Sequence, residues 1–286
     1  MKRVLCIAGN GMLGKEIMAR LLADPSYEVE MTTEETLNIC EEEAVLKRVR
    51  ECRPEIIINC AAFTDVDGCE ERQQLALDVN GNAIQNLAKA ANAVFAKLVH
   101  ISTDYVFDGS LSQGLAYTEE MIVNPTSMYG ISKEIGERMA MTANDYYIFR
   151  TAWLYGDGKN FVRTMLNLAE KGNPIKVVDD QWGNPTSTAV LSDIIKEALD
   201  KNIPSGIYHA TCEGCVSWYT FAKTIFEFCR KEVEVSPITS QQLARLANRP
   251  QNSNLSKAKL KKYGIIPKSW KEALQDYLES ENRIEN

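Results

Sequence analysis

Near its start the chain reads VLCIAGNGMLG over residues 4–14, an apolar run that ends among three glycines. The run predicts a buried strand over Val4–Ala8, and the apolar spacing that follows predicts a helix over Met12–Leu22. A strand, a glycine turn and a helix in this order form the phosphate-binding unit of many dinucleotide-binding domains. The N-terminus of the helix would supply N–H donors and the positive end of a dipole to the phosphates.

The three glycines of this turn have different predicted roles. Gly9 permits a tight turn, Gly11 lets the backbone approach a pyrophosphate, and Gly14 lets the helix pack closely on the strand. A glycine turn without a ligand is the alternative interpretation. The position of the turn between a buried strand and a helix favours dinucleotide binding.

Apolar strands alternate with helices throughout the first half of the chain. This alternation is typical of a parallel sheet covered by helices on both faces, so we predict an α/β fold with a doubly wound, Rossmann-type sheet. Residues 1–150 would form a dinucleotide-binding domain, and residues 151–286 mainly a smaller C-terminal α/β substrate domain, with some segments returning to the first domain. The further predicted strands are Tyr27–Met31, Glu55–Cys60, Lys97–Ile101 and Tyr146–Phe149. The further predicted helices are Glu41–Cys52, Leu75–Asn92, one within Asn124–Met141, Asn160–Glu170, Ser187–Leu199, Ser217–Lys231, Ser240–Leu246 and Lys268–Glu279.

Composition narrows the class of protein. The 286 residues carry a net charge of −7, which argues against a nucleic-acid-binding surface. No apolar run approaches the ~20 residues that a membrane helix needs. Eight scattered cysteines indicate free thiols in a reducing compartment, so we expect a cytoplasmic protein. The segment His209–Cys215 lacks a second pair of metal ligands, and we expect no metal there.

Three tyrosine–lysine pairs have the spacing that places both side chains on one face of a helix. The second pair encloses a Gly-Asp-Gly sequence, which is a poor helix, and the third lies far in sequence from the glycine turn. The first begins a helix within the sheet-forming half and is therefore the candidate for catalysis. In chain order the pairs are Tyr129/Lys133, Tyr155/Lys159 and Tyr219/Lys223.

Residues Ser102–Asp104 end the strand before this helix, at the edge of the sheet where α/β proteins bind ligands. Tyr129 and Thr103 can therefore converge on a bound nicotinamide. The ammonium group of Lys133 would lower the pKa of the phenol from about 10, so that Tyr129 can give a proton to a carbonyl oxygen. Thr103 would hydrogen bond the same oxygen as charge develops. A strand end that only caps the next segment is the alternative.

The segment after the second strand bears on the choice of dinucleotide. Thr33 is neutral, whereas Glu34 favours a cofactor without a 2′-phosphate. Lys15, just beyond the third glycine, could approach a phosphate. The sequence therefore leaves both NADPH and NADH open.

Longer blocks of the sequence resemble the dTDP-4-dehydrorhamnose reductases, which are extended short-chain dehydrogenases/reductases. The likeness covers nearly the whole chain, and the block ISTDYVFDG is much more specific than the glycine turn. The blocks are GMLG (11–14), NCAAFTDVD (59–67), ISTDYVFDG (101–109), YGISK (129–133), FRTAWLYG (149–156), DQWGNPT (180–186) and RPQNS (249–253).

The resemblance implies NAD(P)H-dependent reduction of the C4 ketone of dTDP-4-dehydro-L-rhamnose to dTDP-L-rhamnose, a precursor of cell-surface polysaccharide. It implies that Thr103, Tyr129 and Lys133 are catalytic and that Lys133 also holds the nicotinamide ribose. Contacts with the dTDP-linked sugar would come from Thr103, Asp104, Trp153 and Arg249, whose guanidinium suits a diphosphate. The glycine turn and the resemblance together predict cofactor contacts at Gly9, Gly11, Met12, Leu13, Gly14, Thr33, Asn38, Ile39, Ala62, Phe63 and Thr64, as well as Tyr129 and Lys133.

The sequence departs from its relatives at two places. They usually carry their first glycine at the position of Ala8, whereas here Gly9 stands one residue later. Thr33 and Asn38 replace acidic residues that are often found near the adenosine. The alternative functions are a reductase of another NDP-4-keto-6-deoxy sugar and a regulatory subunit, which would be expected to have lost Tyr129 or Lys133. The resemblance also allows a homodimer and, in some relatives, a metal at a subunit interface.

Overall fold

The computed structural model describes residues 1–243 and 245–284. Its strands are β1 (Lys2–Ile7), β2 (Tyr27–Met31), β3 (Ile56–Asn59), β4 (Lys97–Thr103), β5 (Tyr146–Thr151), β6 (Leu154–Tyr155), β7 (Ile175–Val178), β8 (Trp182–Gly183), β9 (Thr186–Ser187), β10 (Gly206–His209), β11 (Val216–Ser217) and β12 (Val235–Ile238). Its α-helices are α1 (Met12–Leu22), α2 (Glu42–Cys52), α3 (Val66–Glu71), α4 (Gln73–Ala76), α5 (Ala83–Val94), α6 (Met128–Ala140), α7 (Phe161–Glu170), α8 (Thr188–Lys201), α9 (Trp218–Phe228), α10 (Ser240–Leu243), α11 (Ala258–Lys262) and α12 (Trp270–Ser280).

The central sheet has six strands in the order β10-β5-β4-β3-β1-β2, and each neighbouring pair is parallel. Successive residues of a strand point to opposite faces, and both faces are buried. Val4 and Ile58 belong to the apolar cluster that includes α1 and α8, whereas Leu5 and Ile57 belong to the cluster formed with α2 and α5. The predicted doubly wound α/β fold is therefore confirmed. The strand order reverses between β1 and β3, where such sheets bind ligands beyond the carboxyl ends of their strands.

The second half of the chain contributes to this sheet and also builds smaller ones. Strand β10 pairs with β5, so residues 206–209 lie in the same sheet as the first half. Two-stranded sheets join β7 to β12, β8 to β11, and β6 to β9. The assignment of residues 151–286 to substrate binding stays a prediction.

The single helix predicted over Leu75–Asn92 is wrong. The structure has α4, then a π-helical segment over Leu77–Asn82, then α5. The wider turn lies directly against α6, because a Cβ on Gly81 would come within 3.0 Å of the Ile135 side chain and one on Gly136 would collide with the Asn80 carbonyl oxygen. Such π-helical turns are frequent at functional sites.

Other predicted elements differ mainly at their ends. Strand β4 continues beyond Ile101 to Thr103, and α9 ends at Phe228 before Arg230, whose φ of 50° is left-handed. Helix α10 ends at Leu243, and the last part of the helix predicted over Ser240–Leu246 includes residue 244, which lies outside the described residues. No helix in the described part of the chain combines the length and the apolar character needed to cross a bilayer.

Candidate active site

The glycine turn after β1 has the geometry of a cradle. A Cβ on Gly14 would collide with the carbonyl oxygen of Ala8 and lie 2.7 Å from Gly9 Cα, so only glycine lets α1 start this close to the turn. Gly11 is exposed and is the N-cap of α1, and no side chain caps the helix there. No side chain therefore takes up the first N–H groups of the helix, and helix N-termini of this kind can bind anions.

Gly9 lies within the tight turn, as predicted, since the Gly11 N–H donates to the Ala8 carbonyl at 3.0 Å. The left-handed residue is Ala8, with a φ of 54°, and Gly9 has no positive φ. Gly9 also makes room for the neighbouring strand, because a Cβ there would lie 2.7 Å from Met31 Cβ. The bend thus falls at the position where relatives are expected to carry their first glycine.

A cavity of about 510 Å³ opens beyond the ends of β3, β4 and β5 and reaches the start of α1. It brings together ten of the predicted site residues. These are Gly11, Met12, Leu13, Ala62, Thr64, Thr103, Asp104, Tyr129, Lys133 and Trp153. The same wall includes Cys60, Ser102, Tyr105, Thr151, Lys159 and Trp218, which sequence reasoning did not assign to the site.

The remaining predicted cofactor residues do not line this cavity. Ile39 is buried in the apolar cluster beneath α2 and α5, and Asn38 is exposed and donates to Glu41 at 3.1 Å. Thr33 lies in a turn in which its N–H donates to Thr36 Oγ1 at 2.8 Å. These contacts neither support nor oppose an adenosine site, so the role of these residues stays a prediction.

Phe63 also lies outside the cavity wall, and its peptide group is fixed by Asn80. The Phe63 N–H donates to Asn80 Oδ1 at 2.8 Å, and Asn80 Nδ2 donates to the Phe63 carbonyl at 2.9 Å and to Ser132 Oγ at 3.1 Å. Asn80 is fully buried in the π-helical turn. It therefore ties the Ala62–Thr64 loop to the helix that carries Tyr129 and Lys133.

Local packing explains why Tyr129 lies beside the end of β4. Ser127 caps α6 by accepting a hydrogen bond from the Gly130 N–H at 3.2 Å. A Cβ on Gly130 would collide with the Tyr105 carbonyl oxygen, so glycine lets the first turn of α6 rest on the turn after β4. The Tyr129 hydroxyl is consequently hydrogen bonded with Thr103, and the Tyr129 and Tyr105 rings meet edge to face with centroids 5.4 Å apart.

The pKa of Tyr129 differs from the expectation. Burial raises it well above its ordinary value, and the Asp104 carboxyl group raises it further, while the hydrogen bond with Thr103 opposes both. The net lowering of this pKa that the sequence predicts is therefore not found in the protein by itself, since burial and Asp104 outweigh it. Lys133 Nζ donates to the Ile101 carbonyl at 2.6 Å. The phenol is thus held protonated, as a proton donor requires.

Lys133 is buried one turn after Tyr129 on α6. Burial lowers its pKa to about 8, and the Glu137 carboxylate opposes this effect. The neighbouring carboxyl group, Asp104, accepts a hydrogen bond from Thr103 Oγ1 at 2.9 Å, and burial raises its pKa to about 6. The site therefore places a phenol, a hydroxyl, an ammonium and a carboxyl group at one end of the cavity.

Trp153 and Trp218 form an aromatic wall of the cavity. Their rings stack with centroids 3.5 Å apart. Gly183 also packs against the Trp153 ring, so closely that a Cβ on Gly183 would lie 2.5 Å from it. Trp218 was missed because a tryptophan at the start of a predicted amphipathic helix resembles an ordinary core residue.

Arg249 lies beside the cavity and does not line it. Its guanidinium donates to Asp67 Oδ2 at 3.2 Å and is hydrogen bonded with Tyr105, which does line the cavity. The guanidinium also borders a smaller cavity of about 380 Å³ with Arg245 and Gln181. The predicted contact of Arg249 with a diphosphate stays a prediction.

The two rejected tyrosine–lysine pairs do not form a second site. Tyr155 is buried away from the cavity, and Lys159 follows Gly158, whose φ of 87° breaks any helix. Lys223 Nζ lies 5.6 Å from the centre of the Tyr219 ring, and neither residue lines the large cavity.

Two further details concern ligands. Lys15 pairs with Asp157 at 2.9 Å, so its approach to a phosphate would require this surface ion pair to open. In residues 1–243 and 245–284, no three His, Cys, Asp or Glu side chains gather as metal ligands.

The fold and the cavity together define a dinucleotide-binding α/β protein of the short-chain dehydrogenase/reductase class. The family model described as the RmlD substrate binding domain matches residues 1–283, and the chain belongs to this family.

Individual relatives match over nearly their whole length. The crystal structure of a dTDP-4-dehydrorhamnose reductase from Clostridium acetobutylicum is 43% identical, with a TM-score of 0.94, and the match covers 98% of this chain and 99% of that one. The dTDP-4-dehydrorhamnose reductase of Bacillus anthracis, solved in complex with NADP, is 37% identical, with a TM-score of 0.93 and the same coverage. The spore coat polysaccharide biosynthesis protein SpsK of Bacillus subtilis is 38% identical over 98% of both chains.

Proposed function

We propose that this protein reduces the C4 ketone of dTDP-4-dehydro-L-rhamnose with NADPH or NADH and so forms dTDP-L-rhamnose. The observation that carries the proposal is the single cavity in which Tyr129, Thr103 and Lys133 lie with the glycine turn at its other end. Its near full-length relatives with this fold include dTDP-4-dehydrorhamnose reductases, one of them solved with NADP. The retained Tyr129 and Lys133 favour an enzyme over a regulatory subunit.

The cofactor would lie with its pyrophosphate on the N-terminus of α1 and with its nicotinamide near Tyr129. Gly11, Met12 and Leu13 border the first position, and Ala62 and Thr64 border the path between the two. When bound, the reduced nicotinamide supplies the hydride.

The side chains of the chain supply the rest of the reaction. Tyr129 gives its phenolic proton to the carbonyl oxygen as negative charge develops there, and burial keeps that proton in place beforehand. Thr103 hydrogen bonds the same oxygen once its hydroxyl turns away from Asp104. Lys133, fixed by the Ile101 carbonyl, stabilises the phenolate that remains.

The sugar would lie against Asp104 and Trp153, which border the cavity beyond Thr103. Its diphosphate would reach Arg249, whose contact with Tyr105 brings it next to this wall. We further propose a cytoplasmic location, which the eight free thiols support. The homodimer stays a prediction.

The proposal is tested by mixing purified protein with the 4-keto sugar nucleotide and following the loss of NADPH and, separately, NADH absorbance. A panel with other nucleotides and other 4-keto-6-deoxy sugars measures the choice of substrate. Tyr129→Phe should lower kcat by about 10²–10⁴-fold, the usual contribution of a general acid. Tyr219→Phe removes the hydroxyl of a rejected pair and should leave kcat unchanged. Normal turnover by Tyr129→Phe would reject the catalytic assignment.

A further inference from the structure

A buried ion pair lies directly behind the catalytic lysine. Glu137 on α6 and Arg150 on β5 each expose only 3% of their side chains. Arg150 Nε and Nη2 donate to the two Glu137 oxygens at 2.8 and 2.7 Å. Ser102, which lines the cavity, donates to the same carboxylate at 2.5 Å. Glu137 thus joins the end of β4, the end of β5 and the helix of Lys133.

The surroundings of Lys133 contain few charges. Cys60, after β3, and His100, on β4, face it. A hydrogen bond with Cys6, together with burial, raises the pKa of Cys60, and burial lowers the pKa of His100, so both are neutral. On its own helix Tyr129 is a neutral phenol. Arg150 on β5 brings a second cation, and Asp104 after β4 accepts a hydrogen bond from Thr103. Glu137 is the carboxylate in the described chain that favours the charged form of Lys133.

We infer that Glu137 is a positioning residue that keeps Lys133 charged by neutralising Arg150 at the back of the active site. This inference rests on the proposed reductase function. With Glu137 ionised, the buried group of Lys133, Arg150 and Glu137 has one excess positive charge. Without the Glu137 charge, Lys133 and Arg150 would be two buried cations in one site. Lys133 would then lose its proton more readily, because Arg150 stays charged.

A purely structural role does not predict this arrangement. A buried ion pair costs several kcal/mol of desolvation per ion, and apolar side chains of similar volume often replace such pairs without loss of stability. Arg150 cannot serve as a proton donor or acceptor because its guanidinium stays charged. The pair can, however, set the charge felt by Lys133, since Glu137 lies one helical turn beyond it on the same helix.

The test compares three variants, two of which should shift the pH profile in opposite directions. Glu137→Gln removes the negative charge and should move the basic limb of the pH profile of kcat/KM to lower pH by about one unit or more. Arg150→Met leaves the carboxylate unpaired and should move the limb to higher pH. The double variant E137Q/R150M restores the net charge and should return the limb toward the wild-type position.

A matched control and a second readout make the test independent of turnover. Glu134→Gln removes a neighbouring carboxylate of α6 that pairs with Arg138, and it should leave the limb unchanged. NMR titration of the Lys133 side chain in protein labelled with ¹³C-lysine, assigned with Lys133→Met, should show the same shifts. Thermal unfolding of each variant identifies those that do not fold.

Shifts of the same sign in Glu137→Gln and Arg150→Met, or no shift in either, would overturn the inference. If Glu137→Gln does not fold, the upward shift in Arg150→Met and its loss in the double variant decide the question. A wild-type protein that titrates as expected but does not reduce the sugar nucleotide would reject the proposed function and leave the role of Glu137 in charge balance supported.

Discussion

Trp153 stacks face to face on Trp218, with ring centroids 3.5 Å apart and planes inclined by only 7°. Trp153 follows β5 with a φ of 49°, a left-handed conformation that costs a tryptophan about 1–2 kcal/mol. The stacking contact and the close approach of Gly183 fix the position of the Trp153 ring. A residue from the second half of the chain therefore sets the position of one wall of the cavity.

We expect Trp218→Ala to raise KM for the sugar nucleotide by up to about tenfold, since an aromatic pair contributes about 0.5–1.5 kcal/mol beyond burial. The effect on kcat should be smaller, because the proton donor and Thr103 are untouched. The KM of Trp218→Phe should lie between those of the wild type and Trp218→Ala. The control is Tyr219→Ala, at the next position of α9 but outside the cavity. Steady-state kinetics measure both constants, and an unchanged KM in Trp218→Ala would contradict the assignment.

The pH dependence of reduction should have a basic limb near pH 8. Reduction needs the protonated phenol of Tyr129 and the ammonium group of Lys133. The pKa of Lys133 is about 8 and that of Tyr129 lies far higher, so Lys133 loses its proton first as the pH rises. The value of kcat/KM should therefore fall above about pH 8. A profile that stays flat to about pH 10 would show that the charge of Lys133 is not needed.

Stability should depend on pH through Asp104. Its pKa is raised from 3.8 to about 6 in the folded chain, mainly by burial, so the folded state favours the protonated carboxyl group. The contribution of this group to stability is complete below about pH 4 and is lost as the pH rises to about 6. Asp104→Asn should consequently stabilise the protein by about 2–3 kcal/mol at pH 8 and very little at pH 4.

Chemical denaturation at the two pH values measures this difference. Asp108 offers a control of opposite sign, because hydrogen bonds from Ser110 lower its pKa to about 2. Asp108→Asn should therefore destabilise the protein at neutral pH. A neutral-pH loss of stability in Asp104→Asn would show that the buried carboxylate is better solvated than its surroundings indicate.

The sequence predicts the sheet, and it predicts that Thr103 and Tyr129 lie together at one edge of the sheet, for identifiable reasons. Continuous apolar strands must be covered on both faces, and Thr103 and Tyr129 each sit at a strand end or helix start that local patterns define. Asn80 and Trp218 were missed because their roles depend on contacts across the fold. Asn80 lies in the π-helical turn that interrupts the predicted helix, and it contacts the Phe63 peptide, 17 residues earlier.

The adenosine end shows the same limit. A turn such as that of Thr33 has polar side chains that bond to their own neighbours, so a local pattern does not distinguish turn formation from ligand contact. The contact of Arg249 could not be predicted from a local pattern either, since its partner Asp67 lies 182 positions earlier in the chain.

Substitution of Ala8 with glycine should stabilise the protein. Its φ of 54° costs an alanine about 1–2 kcal/mol, whereas glycine adopts it freely and loses about 0.5–1 kcal/mol of chain entropy on folding. Ala8→Gly should therefore stabilise the protein by about 0.5–1 kcal/mol and raise Tm by about 2 °C. Ala19→Gly, at an exposed position within α1, should lower Tm by a similar amount, because a helical glycine carries only the entropic cost. Scanning calorimetry on both variants measures the difference, and a lower Tm in Ala8→Gly would show that the left-handed turn of Ala8 is not a source of strain. Since the turn itself is unchanged, the affinity for NADPH measured by titration should be retained.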